Sequence, residues 1–289
     1  MAHTAAELVD RLGKMSIERS WSPYTSFDWP ESLEPDAEYY MSPNLMSLYG
    51  TETFEALTET QRKRLSFYEI TNFFSFVLLG EKPVVSGMTD RMYRKDTMGP
   101  ITDYLHHFVD EENKHMVMFS LYCNRYAGKI YPEKKLPVDR ELAPGEADLV
   151  FYCRVLIVEE LGDVYNRAMM DDKGINGLVR QINEFHHRDE ARHLAFGRAW
   201  AAELFERHTQ DWSSDQLQRF QNWLSNYFTS SWKDFYNPSV YRDAGIENAY
   251  QVRLDAMANP TQRAFREDAS TKLIKFFLKH GFLREAPEV

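Results

Sequence analysis

Cysteines and long apolar runs are both scarce in this sequence. Its two cysteines, Cys123 and Cys153, are too few for a disulfide scaffold. The most apolar run, from Phe73 to Leu79, is far shorter than the roughly 20 residues that a membrane-spanning helix needs. The opening segment, 1–15, lacks the basic start and apolar core of a secretory signal. We therefore expect no membrane span and a cytoplasmic location.

Positive charge is also in short supply. The net charge of -10 at pH 7 provides no general basic field for a nucleic-acid backbone, so we expect no nucleic-acid binding. The 289 residues, 43% of them hydrophobic, are nevertheless enough to bury a large core. We expect one domain over 1–289.

Glycine and proline cluster at a few places and leave long uninterrupted segments between them, which predicts an all-α protein. The predicted helices cover 4–18, 53–79, 100–126, 146–170 and 178–208, and three more follow residue 213 with breaks near Pro238 and Pro260. The proline-rich stretches 21–43 and 129–145 are interpreted as an extended arm and a crossover between two helical pairs. The pattern predicts a four-helix bundle over about 52–208, with an additional N-terminal helix and C-terminal helices over about 213–280.

Two Glu-x-x-His tetrads carry the strongest chemical signal. They are Glu112 with His115 and Glu190 with His193, and each falls within a predicted helix. Residues three apart lie on nearly the same face of a helix, so each tetrad offers one carboxylate and one imidazole to a common point. Four-helix sites for two iron or manganese ions combine two such helices with two helices that each supply one glutamate. The tetrads therefore predict a two-metal site.

The lone carboxylates should come from the helices that precede each tetrad. In the second half the candidates are Glu159 and its neighbour Glu160, of which only one can face the metals because adjacent helical residues point about 100° apart. We choose Glu159. In the first half the candidates are Glu69 and Glu81, and we favour Glu69 because Glu81 follows Gly80 at the predicted helix end, where a glutamate is usually solvated.

His186 adds a third imidazole to the second half. It precedes Glu190 by four residues and His193 by seven, so all three lie on one helical stripe. The corresponding position of the first half, four residues before Glu112, is Phe108. We expect His186 to be a seventh ligand that makes one metal richer in nitrogen.

This set of residues resembles the p-aminobenzoate N-oxygenase family of ferritin-like di-iron enzymes, of which the third histidine is a mark. The similarity extends through the bundle and includes the run from Phe185 to His193. The resemblance implies a ferritin-like bundle, two iron ions with dioxygen as co-substrate, and oxidation of an amine to a hydroxylamine, nitroso or nitro product in biosynthesis. Manganese is an alternative metal. The implied ligands are Glu69, Glu112, His115, Glu159, His186, Glu190 and His193.

The chemistry of such a site also implies partners. Metal-bound histidines usually donate their other N–H to an acceptor, and Asp110, Asp163 and Asp189 are candidates for that role. The sequence has no flavin or nicotinamide fingerprint, so an external electron donor is expected. The substrate is expected to be a small amine, either free or attached to a carrier protein. The family resemblance implies a homodimer.

Other proteins with such a bundle would differ from this one in sequence or in the reaction that they catalyse. The radical-generating subunit of ribonucleotide reductase places a tyrosine four residues after the first tetrad's histidine, where this chain has Phe119. An iron-storage ferritin would be shorter. A di-iron C-hydroxylase or desaturase is the principal alternative, because the bundle and the oxidant would be alike. A non-catalytic metal-binding bundle is the third hypothesis.

Overall fold

The structure, a computed structural model, describes residues 4–132 and 140–289. All regular elements in these ranges are helical, apart from one isolated bridge between Tyr39 and Ile175. The α-helices are α1 (Ala5–Glu18), α2 (Glu52–Ala56), α3 (Glu59–Arg91), α4 (Pro100–Tyr122), α5 (Glu146–Met170), α6 (Gly177–Thr209), α7 (Ser214–Trp232), α8 (Pro238–Asp243), α9 (Ala249–Ala258) and α10 (Pro260–Lys279). The predicted all-α class is confirmed. No helix of the described chain combines the length and apolar character needed to cross a membrane.

Four long helices, α3 to α6, form the central bundle. α3 packs on α4 and α5 packs on α6, while α3 also contacts α5 and α4 also contacts α6. The helices α3 and α5 run antiparallel, since Phe73 stacks on Tyr165 and a Cβ added at Gly87 would meet Phe151. α1 lies across α4 and α6 and closes that side of the bundle. The predicted four-helix bundle with helices at both ends is confirmed.

The boundaries of several helices follow local signals in the sequence. α1 starts after Thr4, which forms a capping box with Glu7, and α5 and α6 begin and end within one residue of their predicted limits. α4 ends as an α-helix at Tyr122 and continues as a π-helical turn over Cys123–Ala127 before Gly128 stops it at a φ of 62°.

α3 is the helix whose predicted end was wrong. It runs through Gly80 and Pro83 to Arg91. Gly80 is needed for packing, because a Cβ there would lie 2.7 Å from Val158 Cγ1 on α5. Pro83 interrupts one backbone hydrogen bond, and the packing of α3 against both α4 and α5 carries the helix past it.

The C-terminal region contains one more helix than predicted. Four helices, α7 to α10, follow Ser213 in place of the three expected, because α8 and α9 are short and separated at Gly245, where φ is 79°. The predicted breaks at Pro238 and Pro260 are both helix starts, where proline is well tolerated. The middle of the predicted crossover, 133–139, lies outside the described residues.

Candidate metal centre

A cluster of carboxylates and imidazoles lies in the middle of the bundle, and each of its four helices contributes. α3 supplies Glu81, α4 supplies Glu112 and His115, α5 supplies Glu159, and α6 supplies His186, Glu190 and His193. All seven side chains are almost completely buried. We call this set the Glu/His cluster.

Two groups within the Glu/His cluster have ligand atoms close enough to share a metal ion. The first contains Glu81, His115, His186 and Glu190, and the second contains Glu112, His115, Glu190 and His193. Within each group the candidate ligand atoms lie within 4.8 Å of one another. Because Glu190 and His115 occur in both groups, the two positions adjoin.

The two tetrad histidines turn the same ring atom toward the centre. His115 Nδ1 lies 3.2 Å from Glu112 Oε2 and 3.3 Å from Glu190 Oε1. His193 Nδ1 lies 3.0 Å from Glu112 Oε1 and 3.3 Å from Glu190 Oε2. Each tetrad therefore converges with the other as the helical spacing predicts.

The structure corrects the choice of lone glutamate on α3. Glu81 Oε1 lies 3.2 Å from His186 Nε2 and 3.6 Å from His115 Nδ1. Glu69 instead accepts hydrogen bonds from the hydroxyl and the backbone N–H of Ser47, away from the cluster. The physical reason is the longer α3, which keeps Glu81 inside a helix and turns it toward α4 and α6.

The two glutamates of the α5 doublet point in different directions. Glu159 has the charges of Glu190, Glu112 and Glu81 as neighbours. Glu160 is paired with Arg198 and, at 3.1 Å, with Lys272 on α10. The structure thus turns Glu159 toward the cluster and ties Glu160 to the outer helices.

His186 enters the cluster with the opposite ring atom. Its Nε2 lies 3.1 Å from Glu190 Oε1 and faces Glu81, whereas its Nδ1 lies 2.6 Å from the side-chain amide of Asn166. The oxygen of this amide has no hydrogen-bond partner among the described residues as oriented. Rotating the amide by 180° lets the oxygen accept a hydrogen bond from Nδ1–H and leaves Nε2 free to bind a metal.

The tetrad histidines are held by carboxylates from each other's helices. On α6, Asp189 Oδ2 lies 3.1 Å from His115 Nε2, and on α4, Glu111 Oε2 lies 2.9 Å from His193 Nε2. Each ring N–H donates to its carboxylate, which fixes the ring so that Nδ1 faces the centre. The arrangement is reciprocal, and both carboxylates immediately precede the glutamate of a tetrad.

Of the three aspartates predicted to orient the imidazoles, only Asp189 contacts one of the cluster. Asp110 accepts from Lys114 at the surface, and Asp163 pairs with His187 and Arg167. Glu111, which was not among these three candidates, is the partner of His193. The sequence did contain a signal for this role: an acidic residue, Glu111 or Asp189, comes directly before the glutamate of each tetrad.

Arg192 and Trp21 complete the surroundings of these carboxylates. The Arg192 guanidinium is buried and donates to both Glu111 and Asp189, at 2.5 Å from Glu111 Oε1. Trp21 Nε1 donates to Asp189 Oδ2 over 2.8 Å, and its ring stacks on His115. Arg192, which lies within the second tetrad, thus links both supporting carboxylates, and Trp21 of the predicted extended arm covers the imidazole of His115.

The ionisation of the cluster shows strong electrostatic coupling. Burial, and then the neighbouring charge of Glu112, raise the pKa of Glu81 to about 8. Burial, with Glu190 and Glu112 nearby, holds the pKa of Glu159 well above its usual range. Burial opposes ionisation of Glu190 as well, but His193 and His186 outweigh it and hold its pKa well below the usual value. Without a metal, burial thus favours protons on Glu81 and Glu159, whereas the imidazoles balance the charge of Glu190.

The hydrogen-bonding inventory fits a pair of cations. Within the described chain, Glu81 Oε2 and both carboxylate oxygens of Glu159 have no hydrogen-bond partner. Glu112 Oε1 and both oxygens of Glu190 face only imidazole nitrogens, at 3.0–3.3 Å. Buried oxygens of this kind are costly unless they are paired or coordinate metal. Carboxylate oxygens and imidazole nitrogens are ligands that iron and manganese accept. Four carboxylates with neutral imidazoles would be balanced by two divalent ions.

The chain is similar in sequence to a known protein family. A sequence model described as "P-aminobenzoate N-oxygenase AurF" matches residues 2–281. Uncharacterized proteins of Mycobacterium bovis and Mycobacterium tuberculosis are each 23% identical over 242 residues, which are 81% of this chain and 69% of theirs. Among solved structures, a variant of an R2-like ligand-binding oxidase with a reconstituted Mn/Fe cofactor aligns over 92% of this chain and 93% of its own, with a TM-score of 0.49 and 15% identity.

The family match spans nearly the whole chain, including the four helices that build the cluster. Oxygenases of this family use a di-metal site within a ferritin-like bundle, and the described residues provide both. The chain therefore belongs to the p-aminobenzoate N-oxygenase AurF family and is a non-haem di-iron oxygenase.

Proposed function

We propose that the enzyme oxidises the nitrogen of an amine, using two iron ions and dioxygen, to a hydroxylamine, nitroso or nitro product. The family match supports the type of reaction. The observation that carries the metal assignment is the set of four buried carboxylates in the bundle centre, whose oxygens face three imidazoles or have no hydrogen-bond partner. The metal pair with dioxygen would supply the oxidising equivalents.

We propose seven metal ligands, which replace Glu69 of the sequence prediction with Glu81. They are Glu81, Glu112, His115, Glu159, His186, Glu190 and His193. His115 belongs to both positions; His186 is the second imidazole of the position that contains Glu81, and His193 is the second imidazole of the position that contains Glu112. His186 thus makes one position richer in nitrogen than a minimal bundle site.

Aromatic side chains around the cluster keep bulk water away. The Phe108 ring stacks on His193 with 3.8 Å between centroids, and Phe119 packs edge-on against His186. Both phenylalanines are completely buried. Excluding water strengthens the interactions of the carboxylates with bound cations and protects the oxidant from side reactions.

Glu111 and Asp189 have a positioning role. They accept the outer N–H of His193 and His115 and keep Nδ1 of each ring directed inward. Hydrogen bonding to His193 and His115 lowers the pKa of each carboxyl against the opposing effect of burial, so both are ionised at neutral pH. Arg192 balances part of this charge.

The test of the proposed function follows the product. The iron-loaded enzyme, a chemical reductant in place of the external donor, and a panel of amines are mixed under ¹⁸O-labelled dioxygen and analysed by mass spectrometry. N-oxygenation predicts label in a hydroxylamine, nitroso or nitro group. Label on carbon, or loss of hydrogen without label, would contradict the N-oxygenase assignment and favour a C-hydroxylase or desaturase.

His186→Phe is the informative variant for this test, because phenylalanine is the residue at the equivalent position of α4. We expect about one iron per chain in place of two and at least a hundredfold loss of product, since one metal position loses an imidazole. His187→Phe is the matched control. His187 contacts Asp163 outside the cluster, so it should retain both iron ions.

A further inference from the structure

A large cavity lies along α3 and α5, outside the Glu/His cluster. Its volume is about 1210 Å³, and its other walls come from α7, α8 and the loop between them, from Tyr250 on α9, and from Tyr131, Pro132 and Leu142. None of the seven cluster residues lines it. Apolar lining includes Phe76 and Val84 on α3, Val155 and Val158 on α5, and Tyr227 on α7.

The cavity is elongated along the helix pair. Its wall on α3 extends from Asn72 to Ser86, and its wall on α5 extends from Ala147 to Val158. At a rise of about 1.5 Å per residue these walls are roughly 21 Å and 16 Å long. The volume also exceeds the usual range for small-molecule sites, roughly 300–1,000 Å³. A single-ring amine would leave most of this space unfilled.

The charged side chains of the lining favour an anion. Among the described residues they comprise the cations Lys82, Arg154 and Arg242 and one acid, Asp234, in a chain whose net charge is -10. Lys82 and Arg242 are exposed and lie at the rim, whereas Arg154 is half-buried. The lining therefore combines an apolar interior with a basic rim.

One wall of the cavity adjoins the metal centre. Gly80 and Val158 both line the cavity and immediately precede Glu81 and Glu159. They are in close contact, since a Cβ at Gly80 would lie 2.7 Å from Val158 Cγ1. Gly80 and Val158 are thus the lining residues next in sequence to the two lone carboxylates.

We propose that the cavity binds an elongated amphipathic anion, a chain-bearing or multi-ring acid, with its apolar body along α3 and α5 and its acid group at the basic rim. The identification of this ligand as the molecule that is oxidised rests on the proposed function, whereas its binding does not.

Three dansyl probes distinguish the contribution of ligand length to binding from that of ligand charge. Dansyl-aminoundecanoic acid is a long anion, its methyl ester is equally long but uncharged, and dansylglycine is a short anion. Fluorescence titration of the metal-free protein should give the long acid a Kd at least tenfold lower than either comparison probe, because both the apolar contact and the charge contribute. Equal affinity of acid and ester, or of long and short acids, would overturn the proposal.

Two pairs of variants locate the binding. Lys82→Gln/Arg242→Gln should raise the Kd of the long acid about fivefold at low salt, as expected for two exposed charge contacts. The control is the double variant Arg219→Gln/Lys275→Gln, which removes two exposed cations elsewhere and should leave the Kd of the long acid unchanged. Ala147→Trp narrows the cavity and should weaken the long acid, whereas Ala264→Trp, on α10, should not. Equal effects within either pair would contradict the location.

Experiments on the iron-loaded protein distinguish a failure of the cavity proposal from a failure of the proposed N-oxygenase function. The cavity variants should still bind two iron ions, because none of the altered residues contacts the cluster. If iron-loaded protein failed to oxidise any amine but bound the long acid as above, the N-oxygenase assignment would fail and the binding site would remain. Metal-dependent oxidation with no probe binding in the cavity would overturn the binding site alone.

Discussion

Two buried glutamates on the same helix, Glu69 and Glu81, have very different surroundings. They are twelve residues apart on α3, or about 18 Å along the axis. Glu69 lies among hydroxyl groups, with Ser47 as its donor and Tyr241 bonded to the same serine. Glu81 lies among two imidazoles and three further carboxylates.

The comparison shows that burial alone does not make a metal ligand. Burial raises the pKa of Glu69 to about 8, and the same effect with Glu112 nearby raises the pKa of Glu81 to about 8. At Glu69 a neutral acid is stable without a cation, because Ser47 donates hydrogen bonds to it. The oxygens around Glu81 outnumber the available donors, and cations are what would complete them.

The largest effect is expected from exchanging the two acids for amides. Glu81→Gln should lower iron binding from two ions per chain to one or fewer, because the amide removes a charged ligand from a buried site. Glu69→Gln, the matched variant of equal size on the same helix, should bind two. Anaerobic iron titration with metal analysis measures both. Iron loss in Glu69→Gln with none in Glu81→Gln would reverse our assignment.

The second effect concerns stability and pH in the metal-free protein. The folded pKa of Glu69, about 8, exceeds the unfolded value of about 4.3, so the folded state binds the extra proton and stability falls as pH rises between these values. Glu69→Gln removes this pH-dependent loss of stability, because glutamine does not ionise. Urea unfolding should show the variant more stable than wild type by on the order of a few kcal/mol at pH 8.5, and by little at pH 5.

The exposed-site control for that experiment is Glu206→Gln on α6, which should follow the wild-type pH trend. If Glu69→Gln lost stability with rising pH as steeply as wild type, a neutral Glu69 in the folded protein would be ruled out.

A smaller effect is expected outside the ligand set. Asp189→Asn should weaken iron binding about tenfold to a hundredfold, because His115 loses the carboxylate that fixes its ring. Glu111→Gln should do the same through His193. Asp110→Asn changes only a surface pair with Lys114 and should leave iron affinity within about twofold of wild type. Equal iron affinities across all three variants would exclude the positioning role.

The smallest effect is expected from Ser47→Ala. It removes the hydroxyl donor to Glu69, so the free energy of unfolding should fall by about 1–2 kcal/mol. Iron content should stay at two per chain, because Ser47 serves the acid outside the cluster. Denaturant unfolding and metal analysis of the same preparation measure both, and a loss of iron would connect the two regions after all.

The sequence was informative where helical spacing decides the geometry. The two tetrads and His186 share single helical stripes, so α4 and α6 present them together whatever the rest of the chain does. It was misleading at Gly80 and Pro83, which are typical of a helix end. The close approach of Val158, which makes glycine necessary inside α3, is a tertiary contact that no local pattern contains.

The supporting residues show the same limit. Asp110, Asp163 and Asp189 are alike as sequence signals, but only one reaches an imidazole of the cluster, because the partner of each depends on the packing of α4 against α6. The crossed pairing of Glu111 and Asp189 needs both helices in antiparallel register.

The most direct test of the metal centre is iron titration of the anaerobic protein, followed by rapid mixing with dioxygen while visible absorption is recorded. We predict two iron ions per chain, a transient absorption band after mixing, and loss of that band in Glu81→Gln but not in Glu69→Gln. Fewer than one iron per chain, or two iron ions that do not react with dioxygen, would contradict it.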